Sequence, residues 1–124
     1  QNTLVQTADG WPQFDWILLG VGEDGHVASL FPEQEMLECL DRVATVATHP
    51  ESGQQRISLT LPVINRAKLV TMVVTGRQKA SILARIFRSR QDPYLPAQRV
   101  QPIEGTLVWV LDRDAAAELD PRDY

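Results

Sequence analysis

At 124 residues the chain has one domain's length, and 44% hydrophobic residues is ordinary for a globular protein with a single core. A formal net charge of −4 speaks against a generic nucleic-acid binder, which needs a basic surface, and the apolar runs WILLG and LVTMVV fall far short of the roughly 20 residues that span a bilayer. There is no basic start followed by an apolar signal segment, so a cytoplasmic compartment is expected. Cys39, the single cysteine, has no internal disulfide partner and reads as a buried, inert thiol.

Residues 1 to 13 are polar, carry Gly10 and Pro12 near their end, and show no sustained period; they read as a loose lead-in. Phe14 to Leu19 is a continuous apolar run of the kind that forms a strand buried on both faces, and Leu69 to Val74 and Leu107 to Leu111 repeat it. Helical patterns cover Gln34 to Leu40, Gln78 to Ser89 and Ala115 to Leu119. Strands alternating with helices predict βαβ units and a parallel sheet flanked by helices. Val43 to Thr48 and Arg56 to Leu61 are weaker strands that would extend that sheet. Arg90 to Pro102, with three prolines, is the longest loop, and residues 120 to 124 form a tail.

The pattern is strongest in Gln78 to Ser89, where Ala80, Leu83, Ala84 and Phe87 recur at the spacing that packs one helix face onto a sheet. Thr75 followed by Gln78 has the form of a capping box. Five cations and no acid lie between Gly76 and Gln91: Arg77, Lys79, Arg85, Arg88 and Arg90. The last three suit the carboxyl end of a helix dipole. Lys79, in the first turn, works against it and is better placed for an anion bound where a parallel strand runs into a helix.

Behind the first strand stands GVGEDGHVASLFP, residues 20 to 32. Gly20, Gly22 and Gly25 spell the glycine pattern of a dinucleotide cradle, but Pro32 would stop the long helix that such a cradle opens, and Glu23 and Asp24 would repel a pyrophosphate. The loop offers instead a histidine beside carboxylates. Imidazole titrates near neutrality and can take a proton from water and return it; a structural histidine bonded to backbone fits the same letters. Metal binding is not expected, because the other histidine, His49, precedes Pro50 in a loop and scattered acids do not complete a ligand set.

Taken together, GVGEDGHVASLFP, RISLTLPVIN, VVTGRQKA and LVWVLDRDAAAEL resemble the C-terminal half of the 6-phosphogluconolactonase family, in that family's order, over residues 14 to 119. The related glucosamine-6-phosphate deaminases share the G-x-G-x-D-G-H core but not the ASLFP that follows it. The resemblance implies an α/β fold with a Rossmann-like parallel sheet, of the glucosamine-phosphate-isomerase and ribose-5-phosphate-isomerase kind, present as a partial domain. It also implies hydrolysis of 6-phospho-D-glucono-1,5-lactone to 6-phosphogluconate in the oxidative pentose phosphate pathway, without a cofactor or metal.

By the same resemblance His26 is the general base, Asp24 the acid that orients it or the sugar, and Arg56 and Lys79 the cations that hold the phosphate. Gly22 and Gly25 would let the backbone approach the substrate and offer N–H groups to an oxyanion. Ser58 stands where the family usually has threonine, and nothing in residues 1 to 13 matches the family's Ser/Gly-rich sugar-phosphate loop. A missing N-terminal half or self-association would then be needed to complete the fold. The competing readings are an isomerase or deaminase of the same fold and a non-catalytic sugar-phosphate-binding fragment.

Overall fold

The computed structural model describes residues 5–89 and 91–124. Residues 1 to 4 of the lead-in, and Arg90 of the basic stretch, lie outside the described residues. Three continuous apolar runs form a parallel sheet in the order β1, β4, β5, where β1 is Trp16–Leu19, β4 is Leu69–Val74 and β5 is Thr106–Leu111. Trp16 pairs with Leu69 and Leu69 with Thr106, so the three strands start abreast; β1 ends at Leu19 opposite Met72, and β4 and β5 run two positions further to Val74 and Leu111.

The two weaker strands form, but not where they were expected. Ala44–Thr48 (β2) and Gln55–Leu59 (β3) pair antiparallel with each other and make a separate two-stranded sheet. The link between them, His49 to Gln54, is a hairpin turn, closed by the Gly53 N–H donating to the His49 carbonyl at 2.9 Å. A parallel crossover would need a dozen residues or more. Past β3 comes one helical turn, Leu61–Ile64 (α1), with Pro62 in its first turn, where a missing N–H costs nothing.

Two of the three expected helices are reduced. Gln34 to Leu40 gives only a single 3-10 turn at Glu35–Glu38, anchored by one buried side chain, Leu37. Ala115 to Leu119 is a run of turns in which Ala117 and Leu119 donate to the carbonyls three residues back. Segments this short cannot recover the cost of helix nucleation without broad packing. The third forms as Ala80–Arg88 (α2), led in by a 3-10 turn at Arg77–Lys79. Its buried face is wider than the four expected residues: Ile82 and Ile86 are buried with Ala80, Leu83 and Ala84, while Phe87 is half-buried and leans on Trp109 at 5.1 Å between ring centres. Ile82 and Ile86 share one core cluster with Leu95, Ala97 and Val100 of the proline-rich loop, whose Gln98 side chain donates to the Ile86 and Ser89 carbonyls. The expected capping box does not form; the Gly76 N–H instead donates to both carboxylate oxygens of Asp112, just past β5.

The core lies on one side of the sheet, where Ile17, Leu19, Val70, Met72 and Val74 meet α2 and Val27, Leu30, Ile64 and Val100. Among the described residues the other side has no covering layer. Trp16, Leu18, Val73, Val108 and Val110 present an exposed apolar face, with the Trp16 indole N–H donating to the Thr71 hydroxyl at 3.0 Å. Residues 5 to 13, before β1, are fastened to the body by Arg66, which pairs with Asp9 at 2.8 Å and lies over the Trp11 ring at 4.7 Å. Cys39 is half-buried rather than fully buried, with its thiol 3.9 Å from the Asp41 carboxylate. No described helix is long and apolar enough to cross a membrane.

Candidate active site

The carboxyl ends of parallel strands face a common edge, and the chain's chemistry collects at the end of β1. A cleft of about 410 Å³ opens there, lined by Leu18, Leu19, Gly20, Val21, Gly22, His26, Ala28 and Lys79. That size suits a small ligand of sugar-phosphate dimensions.

His26 is held from three sides. Its Nδ1 lies 2.6 Å from Asp24 Oδ1, which also accepts the His26 backbone N–H at 3.1 Å. Its ring leans on Phe31 at 4.8 Å between centres, and Phe31 is 1% exposed. Burial pushes the Asp24 carboxyl up, but the hydrogen bonds from the His26 backbone and imidazole, with the ring's charge, outweigh it and hold Asp24 below its ordinary value. At neutral pH Asp24 is therefore a carboxylate that can only accept, so whenever the imidazole is uncharged its proton is fixed on Nδ1. Nε2 is left with its lone pair as the acceptor.

The third side is Gly22. A β-carbon there would sit 2.1 Å from His26 Cε1 and Nδ1 and 2.8 Å from Asp24 Oδ1, so the missing side chain makes room for the imidazole rather than for a ligand. Gly25 turns the loop at φ 87°, and its N–H donates to the Gly22 carbonyl at 2.9 Å; the Gly22 N–H donates to the His26 carbonyl at 2.9 Å. Both glycine N–H groups are thus engaged within the loop, which corrects the expectation that they would be offered to an oxyanion.

Lys79 reaches the cleft from the start of the α2 segment, and its ammonium donates to the Val21 carbonyl at 2.7 Å. This leaves two of its three N–H groups for another partner. Arg56 is not among the cleft residues. It is exposed on β3, bonded to the Gln54 side chain at 3.2 Å. Register nevertheless puts it on the inner face of the hairpin, opposite buried Ala47 and two positions from Ser58, whose hydroxyl accepts the Ser29 N–H at 3.1 Å. Two strand positions are about 7 Å, so Arg56 stands one step beyond the point where the hairpin touches the histidine loop.

Phe31 and Ser29 were not singled out in the sequence, and Ser58 only as a departure from the family's threonine; each contributes through a contact between distant segments. Phe31 also meets His49 edge-on at 5.2 Å, with His49 Nδ1 accepting the N–H groups of Glu51 and Ser52. Two histidines therefore flank one phenyl ring instead of converging on a common point. Among the described residues no cluster of three or more His, Cys, Asp or Glu side chains is placed to hold a metal ion.

Residues 1–109 match the family model for glucosamine-6-phosphate isomerases/6-phosphogluconolactonase. The 6-phosphogluconolactonase of Bos taurus is 47% identical over 109 residues, covering 87% of this chain and 42% of that protein. That of Synechocystis sp. is 45% identical over 121 residues, covering 96% and 49%. Among solved structures, the crystal structure of devB protein is 45% identical with a TM-score of 0.85, covering 94% of this chain and 49% of that one. The 6-phosphogluconolactonase from Trypanosoma brucei is 27% identical with a TM-score of 0.80, covering 94% and 48%. A monomeric glucosamine-6-phosphate deaminase, 18% identical with a TM-score of 0.68, shares the fold. The chain spans about half the length of the relatives it matches.

Proposed function

Because this chain belongs to the family of glucosamine-6-phosphate isomerases and 6-phosphogluconolactonases, we propose that it carries the catalytic loop of a lactonase that hydrolyses 6-phospho-D-glucono-1,5-lactone to 6-phosphogluconate, in the oxidative pentose phosphate pathway. The observation that carries this reading is the His26–Asp24 pair at 2.6 Å, beside Lys79 in one cleft. His26 Nε2 takes a proton from water as the water oxygen attacks the lactone carbonyl, and the carbonyl π pair moves onto oxygen. When that pair returns, the ring C–O bond breaks and the imidazolium proton goes to the departing ring oxygen. Asp24 stabilises the imidazolium between the two steps, as a fixed carboxylate on Nδ1 does elsewhere.

Lys79, with two free N–H groups, and Arg56, on the hairpin face beside the loop, supply positive charge for the substrate phosphate. The names of the sequence relatives favour the lactonase over an isomerase or deaminase, since the similarity to the deaminase structure extends to the fold alone. Fresh 6-phosphogluconolactone, followed by acid release above the spontaneous rate, tests the reading. His26→Ala should lower turnover about 100-fold or more. Unchanged release would end it, as would ammonia release from glucosamine 6-phosphate in place of lactone hydrolysis.

The bare face of the sheet belongs to this reading. Five exposed apolar side chains on a parallel sheet call for a covering layer, and the lactonases that match are about twice as long. We infer that full activity requires that layer, supplied by a further segment of the same polypeptide or by a second copy.

A further inference from the structure

Hydrolysis of a lactone builds negative charge on the former carbonyl oxygen, and a site that only moves the proton leaves that charge unanswered. Five of the nine N–H groups from Gly22 to Leu30 have acceptors within the protein. Gly22 donates to His26, Gly25 to Gly22, His26 to Asp24, Ser29 to Ser58 and Leu30 to Val27. From Gly22 to Leu30 the residues that line the cleft are Gly22, His26 and Ala28. Of these three, Ala28 has an N–H with no acceptor among the described residues; Gly20 and Val21, which also line the cleft, likewise lack one, but neither has a left-handed backbone.

The same residue is conformationally costly. Ala28 sits at φ 50°, in the left-handed region that a side chain with a β-carbon rarely occupies, at the first central position of the turn that returns Leu30 N–H to the Val27 carbonyl at 2.8 Å. Strain of this kind persists only where the surroundings impose it. Here Val27 and Leu30, both fully buried, pin the turn from below, and Ser58 pins it from the hairpin.

Resting on the lactonase reading, we propose that the Ala28 backbone N–H is the oxyanion donor of the site, two residues from the base and held in place by the strained turn. As water adds to the carbonyl carbon and its proton passes to His26, the carbonyl electron pair becomes an alkoxide that accepts the Ala28 N–H. On collapse the pair returns to re-form the carbonyl, the ring C–O bond breaks, and the hydrogen bond relaxes to an ordinary one. The glycines hold His26; the alanine answers the charge.

The test replaces Ala28 by lactic acid, which turns the peptide N–H into an ester oxygen and preserves the side chain, in this chain and in a full-length polypeptide containing it. Turnover should fall on the order of 100-fold, with KM and the NMR titration of His26 unchanged. An active parent whose ester variant keeps its turnover within about twofold overturns the Ala28 assignment and leaves the lactonase reading intact. An unmodified protein that does not accelerate lactone hydrolysis in either form ends both. Should the ester variant fail to fold, 6-phosphogluconate added to the unmodified protein provides the second measurement. Its carboxylate should move the Ala28 amide proton downfield more than those of Gly22 and Gly25, and a still Ala28 amide beside shifted neighbours overturns the assignment.

Discussion

The His26 imidazole lies against Gly22 so closely that a β-carbon on residue 22 would sit 2.1 Å from two of its ring atoms. Gly22→Ala must therefore expel the ring from its place on Asp24, because a β-carbon and the ring cannot share that space. The expected result is a folded protein with turnover lowered nearly as far as in His26→Ala, about 100-fold. Retained turnover in Gly22→Ala would show that the ring can act from another position.

Asp24→Asn tests the fixed tautomer. Asparagine keeps the size but can present an N–H to Nδ1, which would leave the proton on Nε2 and remove the base. Turnover should fall by roughly 100-fold or more, with the tautomer change visible in the nitrogen NMR of His26. A full-rate Asn variant would assign Asp24 to holding the loop alone.

Lys79 and Arg56 are expected to act on binding. Lys79→Ala should raise KM about tenfold or more with a smaller change in kcat, and Arg56→Ala should do the same without touching the cleft walls. Loss of kcat at constant KM in Lys79→Ala would mean that its bond to the Val21 carbonyl, at 2.7 Å, is its main contribution.

The strands were legible in the sequence because a continuous apolar run has few places to go other than the middle of a parallel sheet: Leu69 to Val74 is found to the residue. The hairpin was half legible. Val43 to Thr48 and Arg56 to Leu61 have strand composition, but their partners are decided by the short turn from His49 to Gln54, which favours antiparallel closure. The helices at 34 to 40 and 115 to 119 misled because periodicity over seven or fewer residues says nothing about whether a face exists to pack against. At the site the types of residue were readable and their relations were not. Gly22 looked like room for a ligand until the ring that fills the room was seen, and Phe31 drew no notice because its two contacts come from segments far apart in the chain.

The Asp9–Arg66 pair gives the fold a dependence on acid. The hydrogen bond from Arg66, joined by that from Thr7, pulls the Asp9 carboxyl from its ordinary 3.8 down to about 2. A carboxyl depressed in the folded state stabilises fully above its unfolded value and loses that contribution as pH falls through the folded one, so the loss belongs between about pH 4 and pH 2. Acid unfolding followed by circular dichroism should be less steep across that window in Asp9→Asn than in the parent; identical curves would place the pair's effect at nil.

The bare sheet face predicts association. Leu18→Lys with Val108→Lys should reduce dye binding to exposed apolar surface and shift this chain toward monomer in light scattering, with the β1, β4, β5 pairing intact. A parent chain that is already monomeric and binds no dye would show that the face needs no cover.

Phe31 is pinched between two imidazoles, His26 at 4.8 Å and His49 at 5.2 Å, one from the loop and one from the mouth of the hairpin turn. The hairpin that carries Arg56 therefore shares a buried ring with His26, and a second tie runs from Ser58 to Ser29. In the proposed reaction the two ends of the sugar, its lactone and its phosphate, are measured by one stiff gauge. A ligand one carbon shorter would meet a base or a cation at the wrong distance, and the selection against it would be made by the spacing of the hairpin, far from any atom that reacts.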